Sequence, residues 1–150
     1  VEPRLLQSTI DVNVDQKTKL VELLENRVGD VKGKKIAVLG LAFKPGTDDI
    51  RKSPAIPIIQ QLNEKGAKVK AYDPEAMENM KEKHHPDITY CTTRQEALKD
   101  SDAALLVTDW AEFDEITLEE LREMKEPIIL EGMRPDYEIP EENKEGVTWP

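Results

Sequence analysis

Cysteine is nearly absent from the chain: of 150 residues only Cys91 carries a thiol, so no internal disulfide can form. That usage fits a reducing compartment, and the cytoplasm is the expected location. Long apolar runs are missing as well; none approaches the ~18 residues that a membrane-spanning helix needs. No secretory leader is expected, since Val1-Glu2-Pro3-Arg4 opens directly into polar sequence. Positive charge is in short supply, with 21 Lys and Arg against 31 Asp and Glu and a net charge of −10. Nucleic acid demands a broad basic surface, so it is set aside as a partner along with the membrane. No internal repeat or low-complexity segment interrupts the chain. The start at Val1 instead of Met leads to the expectation of a processed product or an excised piece.

What is present suffices for one domain with a real core: 38% of residues are hydrophobic and 35% charged, which suits a domain carrying one long solvated helix. Ile10, Val14, Lys17, Val21, Leu24 and Val28 recur at 4-3-4-3-4 spacing, one stripe of a long amphipathic helix. Leu20 and Leu23 widen the stripe, and Gly29-Asp30 stops it. Two readings stay open for this helix: it packs on its own domain, or it connects to another domain or subunit. From Lys32 onward strands and helices alternate. Strands are expected at 36–39, 69–72, 87–91, 103–108 and 127–131, and helices at 54–65, 75–83, 95–99 and 118–124. Ile56, Ile59 and Leu62 are expected to face the core. Such alternation means a parallel sheet with helices on both faces, a Rossmann-like α/β domain over residues 31–150. After Glu131 the acidic, Pro-bearing sequence reads as an irregular tail, with Val147 and Trp149 near a final edge.

The segment 35–54 concentrates the chemistry. A strand ends at Gly40, a loop carries Lys44, Arg51 and Lys52 against Asp48 and Asp49, and Ser53-Pro54 opens a helix. Ser53 is a good N-cap and Pro54 suits the first helical position, so free helix N–H groups are expected to face the strand ends. Together with Lys44 they make a cradle for phosphate groups. The bland alternative is a helix-capping loop with solvated charges. A dinucleotide fingerprint needs Gly-x-Gly-x-x-Gly, but here Gly40 is followed only by Gly46, with Phe43 and Lys44 between. NAD is therefore not expected to sit on this loop in the usual way. Asp73-Pro74 follows the second strand, either as a ribose-binding acid or as the start of a loop. Trp110 and Phe113, after the most apolar strand, either wall a base or cap the core. His84-His85 has no second ligand cluster beside it, which makes a metal site unexpected. Cys91 reads as a core or edge thiol with no activating neighbour.

Gly40-Leu41-Ala42-Phe43-Lys44-Pro45-Gly46-Thr47-Asp48-Asp49-Ile50-Arg51-Lys52-Ser53-Pro54-Ala55 resembles the signature of the C-terminal domain of UDP-glucose/GDP-mannose dehydrogenases. Tyr72-Asp73-Pro74, Ala97-Leu98 leading to Asp102-Ala103, and Thr108-Asp109-Trp110-x-Glu112-Phe113 follow in the same order. The amphipathic start resembles the helix that joins the central domain of such enzymes to this one, so residues 1–30 are expected to be that connection. The resemblance implies a two-step oxidation of a sugar C6 alcohol to a carboxylate, with NAD as oxidant and a cysteine nucleophile. It implies that Phe43 and Lys44 contact the nucleotide-sugar and that Arg51 reaches the NAD held by an N-terminal domain. The family's further substrate arginine follows Asp-Gly; Glu131-Gly132-Met133-Arg134 stands here, with Arg134 as its candidate replacement. Trp110 points to the UDP-glucose branch, with GDP-mannose and UDP-N-acetyl-sugar dehydrogenases as alternatives.

No Gly-x-Cys-x-x-Lys-Asp segment and no glycine fingerprint occur in this sequence. By resemblance the chain is therefore a UDP-sugar-binding third of a homodimeric enzyme and inactive alone. It carries no catalytic residue and no metal, and it acts with the central and N-terminal domains. A stand-alone nucleotide-binding or dimerisation module is the rival reading.

Overall fold

The computed structural model describes residues 14–108, 110–131 and 144–146. Its framework follows from strands apolar on both sides. In β1 (Lys35–Leu39), Ile36 and Val38 enter one core while Ala37 and Leu39 enter a second. The same alternation runs through β4 (Ala103–Leu106), where Ala103 and Leu105 face the first core and Ala104 and Leu106 the other. Successive residues of a strand point to opposite faces, so a wholly apolar strand needs cover on both.

Six strands form one parallel sheet in the order β3-β2-β1-β4-β5-β6. The remaining four are β2 (Lys68–Tyr72), β3 (Thr89–Tyr90), β5 (Ile129–Glu131) and β6 (Lys144–Gly146). β1 aligns Ile36 with Val69 on one side and with Ala103 on the other. The order reverses between β1 and β4, and in open α/β sheets ligands bind in the crevice beyond the strand ends at such a point. β6 departs from the expected irregular tail: it pairs with β5 from Ile129↔Lys144 to Glu131↔Gly146. Val147 and Trp149 lie outside the described residues.

Helices α1 (Val14–Val28) and α2 (Ala55–Glu64) contribute to the first core. α3 (Met77–Lys83) also enters it through Met80. The second core is closed by α4 (Arg94–Leu98), a 3₁₀ turn (Ala111–Glu115) and α5 (Leu118–Arg122). α2 turns slightly from the expected face: Ala55, Ile58, Ile59 and Leu62 are buried, while Ile56 packs only at the margin. α1 resolves one open choice over part of its length. Leu20, Val21 and Leu24 are fully buried in the domain's own core, with Leu23 and Val28 packed beside them. Lys65 Nζ reaches Glu25 Oε2 at 3.1 Å across the α1–α2 seam. Gly29 ends α1 at φ +82°, the left-handed position that glycine occupies without steric cost. Among the described residues no helix is long and apolar enough to cross a membrane.

Candidate functional site

The site begins where β1 and β4 end side by side. Gly40 sits at φ +99°, and a Cβ there would lie 2.5 Å from the Thr108 backbone nitrogen. Its role is thus close approach between two loops of the same chain, which only glycine permits at this φ. Thr108 Oγ1 then donates to the Ala42 carbonyl at 2.7 Å, fastening the β4 end to the β1 loop.

Asp73, at the end of β2, holds the same region from beneath. It is fully buried. Its Oδ2 accepts from the N–H of Leu41 at 2.6 Å and of Ala42 at 3.0 Å, and from Trp110 Nε1 at 2.9 Å. Its Oδ1 accepts from the N–H groups of Glu75 and Ala76, both at 2.8 Å. A carboxylate engaged this fully has no capacity left for a ribose, so of the two readings of Asp73 the loop-forming one holds. Trp110 likewise leans on both cores and is anchored by its indole N–H. Phe113 is wholly buried and stacks edge-on with Tyr72 at 6.2 Å, which makes it a core residue.

The expected cradle of free helix N–H groups is not there. Ser53 Oγ accepts from the Ala55 N–H at 3.1 Å and donates to the Leu41 carbonyl at 2.7 Å. The N–H groups of Ile56 and Ile58 go to the carbonyls of Ser53 and Pro54, each at 3.3 Å. Pro54 and Pro57 have none to give. The first turn of α2 is satisfied within the chain, so any ligand at this loop is held by side chains.

Those side chains are on display. Between the buried Leu41-Ala42 and the buried Ile50 the loop rises clear of the core. The Phe43 N–H bonds to the Asp49 carbonyl at 2.7 Å, closing the loop neck. Phe43 itself is 45% exposed, one of two large apolar side chains left so open among the described residues. Lys44 beside it is exposed and has no ion-pair partner among the described residues. Arg51 is exposed too, and its Nε and Nη2 embrace Asp49 at 3.1 Å to Oδ1 and 2.8 Å to Oδ2. That guanidinium pulls the Asp49 carboxyl down to about 2. Asn79 Nδ2 donates to the Asp48 carbonyl at 2.8 Å, tying the loop to α3. The structure thus brings Phe43 and Lys44 to one tip and sets Arg51 on the same loop; Arg134 lies outside the described residues.

A buried network behind the site carried no signal in the sequence. Arg94 is 9% exposed. Its Nε and Nη2 pair with Glu120 at 2.9 and 3.0 Å, and Nη1 and Nη2 cap the carbonyls of Glu112 and Glu115 at 3.1 Å. Glu112 in turn accepts from the Tyr72 hydroxyl at 2.9 Å. Burial, reinforced by Glu112, pushes the Tyr72 phenol up to about 12. Cys91 is buried, and burial with nearby Glu96 raises its thiol further from ionisation. It is a core residue, as expected.

Residues 37–134 match the UDP binding domain of the UDP-glucose/GDP-mannose dehydrogenase family. Among curated relatives, UDP-glucose 6-dehydrogenase AglM of Haloferax volcanii is 53% identical over 133 residues, covering 89% of this chain and 30% of its own length. UDP-glucose 6-dehydrogenase YwqF of Bacillus subtilis is 41% identical over 146 residues, covering 97% of this chain and 33% of its own. A UDP-glucose dehydrogenase structure from Pyrobaculum islandicum superposes with a TM-score of 0.77 at 30% identity, over 91% of this chain and 30% of that one. The UDP-D-ManNAc dehydrogenase of Pyrococcus horikoshii gives 0.69 at 28% identity, over 87% and 29%. The chain spans about a third of the length of the curated relatives it matches. It belongs to the UDP-glucose/GDP-mannose dehydrogenase family, which it matches through the UDP binding domain.

Proposed function

We propose that this chain is the nucleotide-sugar-binding part of an NAD-dependent UDP-glucose 6-dehydrogenase, which oxidises UDP-glucose to UDP-glucuronate in two steps at C6. One observation carries the proposal: a loop pinned at its base presents an open aromatic ring and, at a sheet's switch point, an ammonium with no ion-pair partner among the described residues. Phe43 supplies an apolar face and Lys44 a charge-assisted donor to the nucleotide-sugar. Arg134 is a third candidate contact. The likeness to AglM at 53% identity favours UDP-glucose as the sugar nucleotide.

NAD does not fit this domain's own crevice. The first loop amides go to Asp73 and the start of α2 is satisfied internally. NAD therefore belongs to another domain, toward which Arg51 extends from the rim. The N-terminal residues through α1 connect to a central domain, and the whole enzyme works in the cytoplasm. By itself the chain binds UDP weakly and does not turn over. Calorimetric titration with UDP and UDP-glucose tests this. Lys44→Ala should lose about 1.5–3 kcal/mol of binding, the range for a hydrogen bond to a charged group. Unchanged affinity in that variant removes Lys44 from the site.

A further inference from the structure

The most densely bonded polar group near the loop is one that no ligand can touch. Asp73 places a carboxylate under the switch point and draws its five donors from three stretches of chain: residues 41–42, residues 75–76 and Trp110. A buried charge is costly unless hydrogen-bonded, and here both oxygens are fully engaged. The donors depend on the charge as much as the charge depends on them. Without it, four backbone N–H groups and an indole N–H would face a carboxylate-sized void.

We infer that Asp73 is a positioning residue for ligand recognition: as the resident anion beneath the switch point it fixes the backbone that presents Phe43 and Lys44. The inference rests on the reading of Phe43 and Lys44 as ligand contacts. Phe43 follows directly on Ala42, whose N–H goes to Asp73 and whose carbonyl is held by Thr108. The tip therefore inherits its direction from the clamp, with no residue between Ala42 and Phe43 to give slack. Asparagine is not a neutral stand-in. Its side-chain amide would turn a donor toward donors on one side or the other.

The test compares the whole chain with Asp73→Asn and Asp73→Ala at a temperature where circular dichroism shows each folded. UDP affinity should fall by about tenfold or more in both, as expected for losing a charge-assisted anchor. Added formate should restore affinity to Asp73→Ala, because a free carboxylate can return to the five donors, and it should leave the unsubstituted chain unchanged. Affinity within about twofold of the unsubstituted chain in a folded Asp73→Asn would overturn the inference. So would a folded Asp73→Ala that formate does not restore.

If neither variant folds, Trp110→Phe removes a single donor and carries the test through amide exchange. The Phe43 amide should then exchange faster while Ile36 and Val38 keep their protection; unchanged exchange at Phe43 overturns the inference. If the unsubstituted chain shows no UDP binding, the nucleotide-sugar reading fails, and Phe43 exchange in these variants still decides the positioning role.

Discussion

Two arginines in this domain grip a carboxylate with nearly the same geometry and to opposite ends. Arg51 holds Asp49 at 2.8 Å with side chains 88% and 34% exposed. Arg94 holds Glu120 at 2.9 Å with side chains 10% and 12% exposed. In water, side-chain entropy and solvent screening offset most of the attraction between paired charges. Out of water, the pair must hold, because breaking it strands a charge where nothing else can solvate it. Distance alone would rank the two as equals. Burial makes Arg94 part of the architecture and leaves Arg51 available.

The comparison is broken most readily at the buried end. Arg94→Ala should cost about 3–5 kcal/mol of stability, since it strands Glu120 and frees the carbonyls that hold the 3₁₀ turn. Denaturant unfolding measures it; a small loss would mean that water reaches the network. Next in size is an alkaline effect on the same network. The folded-state pKa of Tyr72 is raised to about 12, so its contribution is present below the unfolded value near 10 and lost as pH rises through 12. The loss should be on the order of 2 kcal/mol and should vanish in Tyr72→Phe, as followed by unfolding across that window.

The exposed end is expected to move least. Asp49→Asn should leave the unfolding midpoint where it is, and a clear drop would show that the pair braces the loop. The Asp49 carboxyl is depressed, so the small contribution of its pair is present above the unfolded value and fades as pH falls from 3.8 to about 2. Carbon-detected titration of that carboxyl should give a midpoint near 2 that climbs toward the ordinary range in strong salt.

The contrast also explains which parts of the molecule could be read in advance. The strands expected at 36–39 and 103–108, the second observed as Ala103–Leu106, were legible because a sheet buried on both faces writes itself as an unbroken apolar run. The helical stripe through Val21 and Leu24 was legible as a stripe; what it faces is a tertiary fact. β6 was not legible, because the edge strand Lys144-Glu145-Gly146 needs backbone pairing and no apolar pattern. Arg94 was not legible at the margin of a short helix, since its partner stands 26 residues away. Asp73 showed its turn in Asp-Pro, but three of its five donors come from more than thirty residues off. Ser53 and Pro54 correctly marked a helix start. What they did not reveal is that the start closes on itself, through a serine that caps one N–H and two prolines that supply none.

The close meeting of Gly40 with Thr108 governs where this loop can change length. An added residue near Gly40 would have to displace backbone already in contact, with no flexible side chain to give way. Farther out, Gly46 has open space around it and its neighbours Pro45 and Lys44 are exposed. Insertions, purification tags or reporter peptides should therefore leave the fold intact at the crown of the loop and disrupt it at the root, as thermal unfolding of the two insertion variants would show.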